Sequence, residues 1–251
     1  MSDAFELIRQ IHTSARGRGV ADSIAQFDNI ATHAQYRIPY EKTAQRIRPG
    51  DRVLDWGCGN GHFSLLLEAL GAQVTGYSFE QPPRCMSGSP NFRFVAGSDE
   101  DPSGLPFPHA SFDAAVSMGV LEHVWETGGD EGASLTELAR VVRSGGFFLT
   151  FHFPNRDGWI EPAVKALRLN KHFHKRKYHE RQIRALWNEA GFEVVDMGRY
   201  NTLPHAELRL LPGFVKHSAA FAAAYGLVDR AIAAAVPRVC TNFYIVAQRR
   251  A

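Results

Sequence analysis

The segment Val53-Leu54-Asp55-Trp56-Gly57-Cys58-Gly59-Asn60-Gly61 limits this chain more than any other. A short apolar run enters a turn with glycine at three alternate positions, and the helix-patterned Phe63 to Leu70 follows directly. Strand, glycine turn and helix in that order open an α/β unit whose turn lets a ligand approach bare backbone. The rest of the chain repeats the alternation. Candidate strands are Arg52 to Asp55, Gln73 to Tyr77, Phe92 to Ala96, Ala114 to Met118, Phe147 to Phe151, Glu193 to Met197 and Phe243 to Gln248. Seven apolar runs separated by helical patterns predict a largely parallel sheet with helices on both faces. A length of 251 residues suits one such domain with appendages.

The appendages are legible too. Phe5, Ile8 and Ile11 fall three apart after a Ser2 cap, and Ile24, Phe27, Ile30 and Ala31 continue the pattern. We therefore expect a helical lid over residues 1–48 and a main domain over 49–251. Two connections exceed what a compact α/β unit needs, at about 154–178 and 201–241, and both are expected to be helical cap insertions. In the second, Phe214, Phe221, Tyr225, Val228, Ile232 and Val236 recur at helical spacing until Pro237 ends the run.

A glycine turn alone does not name its ligand, because dinucleotide-binding folds use the related GxGxxG. Asp55 discriminates. A carboxylate beside the turn repels a pyrophosphate and suits a cationic, phosphate-free ligand. No Gly-Lys-Ser/Thr ending follows, which removes the P-loop reading.

Charge and cysteine usage narrow the partners. Lys plus Arg number 28 against 26 Asp plus Glu, a net charge of +2, so no nucleic-acid partner is expected. Cys58, Cys85 and Cys240 include no CxxC pair and fit a reducing compartment. The start, Met1-Ser2-Asp3-Ala4-Phe5-Glu6, places acids where a signal peptide needs bases, and a cytoplasmic location is expected. No apolar run is long enough to cross a bilayer. Leu208, Leu210 and Leu211 with the stripe after Phe214 leave open a peripheral membrane contact.

Further motifs stand in order after the turn: Leu105-Pro106-Phe107-Pro108 with Ser111-Phe112-Asp113, Val120-Leu121-Glu122-His123-Val124, Arg140-Val141-Val142-Arg143-Ser144-Gly145-Gly146, and Ala190-Gly191-Phe192. With the glycine turn, over roughly residues 50–198, the chain resembles the class I methyltransferases dependent on S-adenosylmethionine (AdoMet), particularly the group that includes ubiquinone and menaquinone biosynthesis methyltransferases. The resemblance implies a Rossmann-like seven-stranded α/β sandwich with AdoMet as cofactor. It further implies that Asp55, Gly57, Cys58, Gly59 and Gly61 meet the amino-acid end of AdoMet. Ser98 or Asp99 would lie by the adenine, and Met118 and Gly119 would begin the cofactor's other wall. One departure stands out: the family's ribose-binding acid at the end of the second strand is Ser78 here, and Glu80 two residues later is the alternative.

In an open α/β sheet the reactive end lies beyond the carboxyl ends of the strands. That selects Glu122 and His123 after the fourth strand, and His152 with Asn155 after the fifth. His152 is the first choice as general base, since an imidazole titrates near neutrality; His123 is the second, with a buttressing role the competing reading. Tyr36, Asn155, Trp159, His174, Arg176 and Tyr178 are the candidate acceptor contacts, the last three from the basic run Asn170 to Arg181, which can grip phosphate or simply form a solvated face. His172, His174 and His179 lack a cysteine partner, so no metal site is expected. The expected activity is O-methylation of a small molecule or of a sugar or lipid-linked acceptor. An N- or C-methyltransferase, a noncatalytic scaffold subunit and, more remotely, an NAD-dependent dehydrogenase are the rivals.

Overall fold

The structure, a computed structural model, describes residues 4–17, 29–167 and 174–251. Seven strands form one sheet: β1 Arg52–Trp56, β2 Gln73–Ser78, β3 Phe92–Ala96, β4 Phe112–Met118, β5 Val142–Pro154, β6 Phe192–Tyr200 and β7 Asn242–Arg249. Their order is β3-β2-β1-β4-β5-β7-β6. The first five are parallel, and β7 runs antiparallel between β5 and β6. The apolar runs are continuous rather than alternating because both faces are covered: Val53, Val74, Val116 and Leu149 belong to one buried cluster, Leu54, Ala115, Phe148 and Ile245 to the other.

Every expected strand is present, and several are longer. β5 starts five residues earlier than its apolar run because Gly145, at φ 73°, and Gly146 carry the chain past β4, where a Cβ on Gly146 would lie 2.6 Å from the Asp113 carbonyl. Asp113 also accepts hydrogen bonds from Arg52 and Arg143, joining the starts of β1, β4 and β5.

Helices α1 (Ala4–Gly17), α2 (Ile30–His33) and α3 (Arg37–Ala44) precede the sheet, with α2 capped by Asn29 and followed by a single 3-10 turn over Ala34–Tyr36. Ile8, Ile11, Ile30 and Ala31 are buried as their spacing implies; Ser2, Ile24, Phe27 and His172 lie outside the described residues. Helices α4 (His62–Ala69) and α5 (Glu131–Val141) follow β1 and β4. The first insertion carries α6 (Ile160–Ala166) and leads to α7 (Glu180–Glu189).

The second insertion differs from expectation. The continuous helix anticipated from Phe214 to Val236 is two, α8 (Gly213–Lys216) and α9 (Ala219–Ala235). Ser218 breaks it by accepting from the Phe221 amide as the N-cap of α9. The stripe is also split: Phe221 and Tyr225 pack against the core, whereas Phe214 is 83% exposed and Val228 and Val236 face solvent. Asp229, which interrupts the apolar pattern, points inward and accepts from the amides of Thr202 and Leu203. Among the described residues no helix is long and apolar enough to cross a membrane.

Candidate active site

The strand order reverses between β1 and β4, and in such sheets the crevice beyond the carboxyl ends at that point is the binding site. A cavity of about 300 Å³ opens there. Its walls come from the β1 turn (Trp56, Gly57, Gly59), the end of β2 (Tyr77 to Glu80), the end of β4 (Met118 to Val120) and the following segment (His123, Val124, Thr127), with Pro102 at one side. A larger crevice of about 460 Å³, bounded by Arg52, Gln73, Phe92 and Phe112, lies at the opposite, amino ends of the strands.

The glycines of the turn divide their tasks. Gly57 has φ 79°, and a Cβ there would overlap Val120; Gly61 has φ 83°, and a Cβ there would meet Cys85 Sγ at 2.6 Å. Both are needed for packing. Gly59, at φ 45°, has nothing closer than 3.9 Å to such a Cβ, and that nearest atom is Glu80 Oε2. Its bare backbone faces the cavity. The amides of Gly57 and Cys58 both donate to the Tyr77 carbonyl, which locks the turn to β2.

Asp55 corrects the electrostatic expectation. Its carboxylate is buried, accepts a 2.5 Å hydrogen bond from the Ser64 hydroxyl of α4, and is absent from the cavity wall. Burial pushes its pKa up to about 6, against the opposing pull of Ser64. Asp55 therefore braces the turn from behind. Glu80 is the carboxylate on the cavity wall, while the Ser78 hydroxyl accepts from the Glu80 amide and holds that corner. Cys58 is buried, its Sγ 2.9 Å from where a Gly76 Cβ would stand. Ser98 and Asp99 are exposed on the loop after β3 and do not reach the cavity, where Phe79 and Pro102 stand instead.

Beyond the cavity, His152 ends the regular part of β5 at φ 58°, an unfavourable backbone for a residue with a Cβ. Its amide donates to the Tyr200 hydroxyl at 2.8 Å. Its ring stacks on Tyr36 with centroids 5.1 Å apart and planes 7° from parallel. Nε2 is buried with no hydrogen-bond partner among the described residues. Burial, then the neighbouring His205 and His174, bring the imidazole's pKa down to about 3, which corrects the expectation that it titrates near neutrality: it is neutral at physiological pH. Tyr36 also lies 4.3 Å from the His62 ring, and Tyr40 Oη links His33 Nε2 (2.8 Å) to His62 Nε2 (3.1 Å). The N-terminal helices are thus tied to α4 and β5 by a buried aromatic and imidazole chain. Tyr200 carried no local sign of this role.

The other candidates divide. Asn155 is buried, and its amide donates to the carbonyls of Arg238 and Cys240, so it ties the first insertion to the start of β7. Trp159 donates to the Thr202 carbonyl and joins the two insertions, with 43% of its surface exposed. Tyr178 stacks on Phe153 and donates to Glu131, which also pairs with Arg176 at 2.9 Å. Arg176 and His174 line a separate open cavity of about 520 Å³ with Arg156 and Lys175. His123 lines the main cavity, and Glu122 beside it is buried.

A family profile described as a methyltransferase domain matches residues 30–197. The chain is 30% identical over 184 residues to a probable S-adenosylmethionine-dependent methyltransferase of Mycolicibacterium smegmatis, covering 69% of this chain and 64% of that one. It is 29% identical to a probable S-adenosylmethionine-dependent methyltransferase of Mycobacterium tuberculosis, covering 65% and 56%. The match thus spans less than two thirds of these relatives' length. Among solved structures, the 1,6-didemethyltoxoflavin N1-methyltransferase of Burkholderia thailandensis, with bound 1,6-didemethyltoxoflavin and S-adenosylhomocysteine, superposes with a TM-score of 0.56 at 19% identity, covering 98% of this chain and 88% of that one. At that identity the likeness establishes the fold.

Proposed function

Since the chain belongs to the class I S-adenosylmethionine-dependent methyltransferases, we propose that it methylates an oxygen of a small, hydroxyl-bearing acceptor, either free or carried on a sugar or lipid. AdoMet, when bound, supplies an electrophilic methyl group on a sulfonium. The cavity fits that ligand: its volume of about 300 Å³ lies in the range of small-molecule sites, the Gly59 backbone is open, and Glu80 offers a carboxylate. In this reading Glu80 accepts from the ribose hydroxyls, and Phe79 and Pro102 give the base apolar faces. Gly57, Gly59, Met118 and Gly119 bound the remainder.

The observation that carries the oxygen-transfer reading is His152. Its Nε2, which has no hydrogen-bond partner among the described residues, belongs to a neutral imidazole held between Tyr36 and Tyr200, and its Cβ lies 3.9 Å from where a Gly119 Cβ would be, beside the cavity wall. A neutral imidazole accepts a hydrogen bond and then the proton that a hydroxyl must lose as its oxygen is alkylated. An amine or a stabilised carbanion has no such need. Tyr36 fixes the imidazole plane, which matters because alignment supplies most of the rate in an in-line displacement.

Exposed Leu167, Leu210 and Phe214 on the two insertions favour, as a second reading, an acceptor with a lipid chain and a peripheral membrane contact. Purified protein given methyl-labelled AdoMet and fractionated extract, followed by mass spectrometry of the labelled product, tests both. A methyl ether is expected; a methyl on nitrogen or carbon, or no transfer despite AdoMet binding, overturns the oxygen assignment.

A further inference from the structure

One ligand atom from each of Glu122, His123 and His174 lies within 4.8 Å of the others. Glu122 and His123 sit on the 3-10 segment Leu121–Thr127 after β4, and His174 comes from the far end of the first insertion. Glu122 is 2% exposed, and no other described residue donates a hydrogen bond to either of its carboxylate oxygens. A buried carboxylate with no donor from a neighbouring residue is disfavoured unless a proton or a cation joins it.

The two imidazoles are already oriented. His123 Nδ1 is 3.1 Å from Glu126 Oε1, and His174 Nδ1 is 2.5 Å from Glu161 Oε1. A carboxylate on Nδ1 fixes ring and tautomer and leaves Nε2 to coordinate, which is the support that metal-binding histidines ordinarily have. The rings stand 5.4 Å apart and 36° from parallel.

We propose that Glu122, His123 and His174 bind a divalent transition-metal ion of the Zn²⁺ or Fe²⁺ kind. Two imidazole nitrogens and one carboxylate suit such ions, whereas Mg²⁺ and Ca²⁺ favour oxygen throughout. Three protein ligands leave a position open for an oxygen donor from the acceptor. His123 also lines the main cavity, and Glu122 Oε1 is 3.7 Å from where a Gly119 Cβ would lie, so the ion borders the cofactor space. His174 belongs to the neighbouring basic cavity as well, which places the ion between the two. This inference departs from the expectation of no metal site, which rested on the histidine spacing in the basic run: Glu122 and His123 are about fifty residues away in sequence and gave that run no sign of them.

The test is titration of chelator-treated full-length protein with Co²⁺ alone, reading its visible absorption, alongside calorimetry of AdoMet binding to the same samples. One Co²⁺ per chain is expected, lost in Glu122→Gln and His174→Ala. Glu161→Gln, which removes the carboxylate charge behind His174 together with its ion pair to Lys177, should weaken binding about 10- to 100-fold. Native-like Co²⁺ affinity in Glu122→Gln and His174→Ala, or no stoichiometric Co²⁺ uptake by native protein that binds AdoMet, overturns the proposal. Failure of AdoMet binding with Co²⁺ uptake intact would instead count against the cofactor reading.

Discussion

The Tyr36 ring lies flat on the His152 imidazole, 5.1 Å between centroids and 7° from parallel, so a residue ahead of β1 sets the plane of a residue at the end of β5. Removing the ring should disturb alignment without touching the main cavity, whose walls do not include Tyr36. Tyr36→Ala is expected to lower kcat by about 10- to 100-fold, the scale of a small misplacement at the reacting centre. The dissociation constant for AdoMet, measured by calorimetry, should be little changed. Equal losses in both would mean that Tyr36 merely supports the fold.

His152→Gln removes the proton acceptor at a position already strained at φ 58°. If His152 assists an oxygen nucleophile, turnover should fall by about 100- to 10,000-fold at neutral pH with AdoMet binding retained. Unchanged turnover would remove His152 from the reaction.

Glu80 and Ser78 can be told apart by affinity. Glu80→Gln should weaken AdoMet binding about 10- to 100-fold, the worth of a hydrogen bond to a charged group. Ser78→Ala should cost less, since its hydroxyl serves the Glu80 amide. Calorimetry on both variants gives the order, and the reverse order would return the ribose to Ser78.

Gly57 and Gly59 should separate stability from binding. Gly57→Ala drives a Cβ into Val120 and should lower the melting temperature, with a stability loss of about 1–3 kcal/mol. Gly59→Ala meets only backbone strain at φ 45° inside the protein, so its larger effect should be on AdoMet affinity. A Gly59→Ala variant that binds AdoMet like the native chain would argue against close approach of the cofactor there.

Acid stability carries a sign that one buried group can test. Burial, then the neighbouring His152, lower the His62 pKa to about 3 from an unfolded value near 6.5. Between those values the unfolded chain holds a proton that the folded one does not, so His62 makes the fold less stable as pH falls from about 6.5 toward about 3. Asp55, raised to about 6, acts in the opposite sense over its own window, from about 6 down to its unfolded value. Denaturant melts of native protein and His62→Gln at several pH values should differ in slope by up to about 1.4 kcal/mol per pH unit. Parallel slopes would mean that His62 is not held neutral.

Seven strands, the glycine turn and the position of α4 were legible in the sequence because they are local. A buried parallel strand needs an unbroken apolar run, and a turn with positive φ needs glycine. The direction in which Asp55 points was not legible, because β1 alternates its faces and only the packing of α4 brings Ser64 to it. The pairing of Tyr36 with His152, and of Glu122 and His123 with His174, was equally hidden. Each joins segments separated by dozens of residues, and periodicity within one segment says nothing about which side chain another segment will bring across. Local propensity thus determined the elements and the glycine turn, while tertiary packing decided which carboxylates stay at the cavity, which are buried behind it, and which histidines come together.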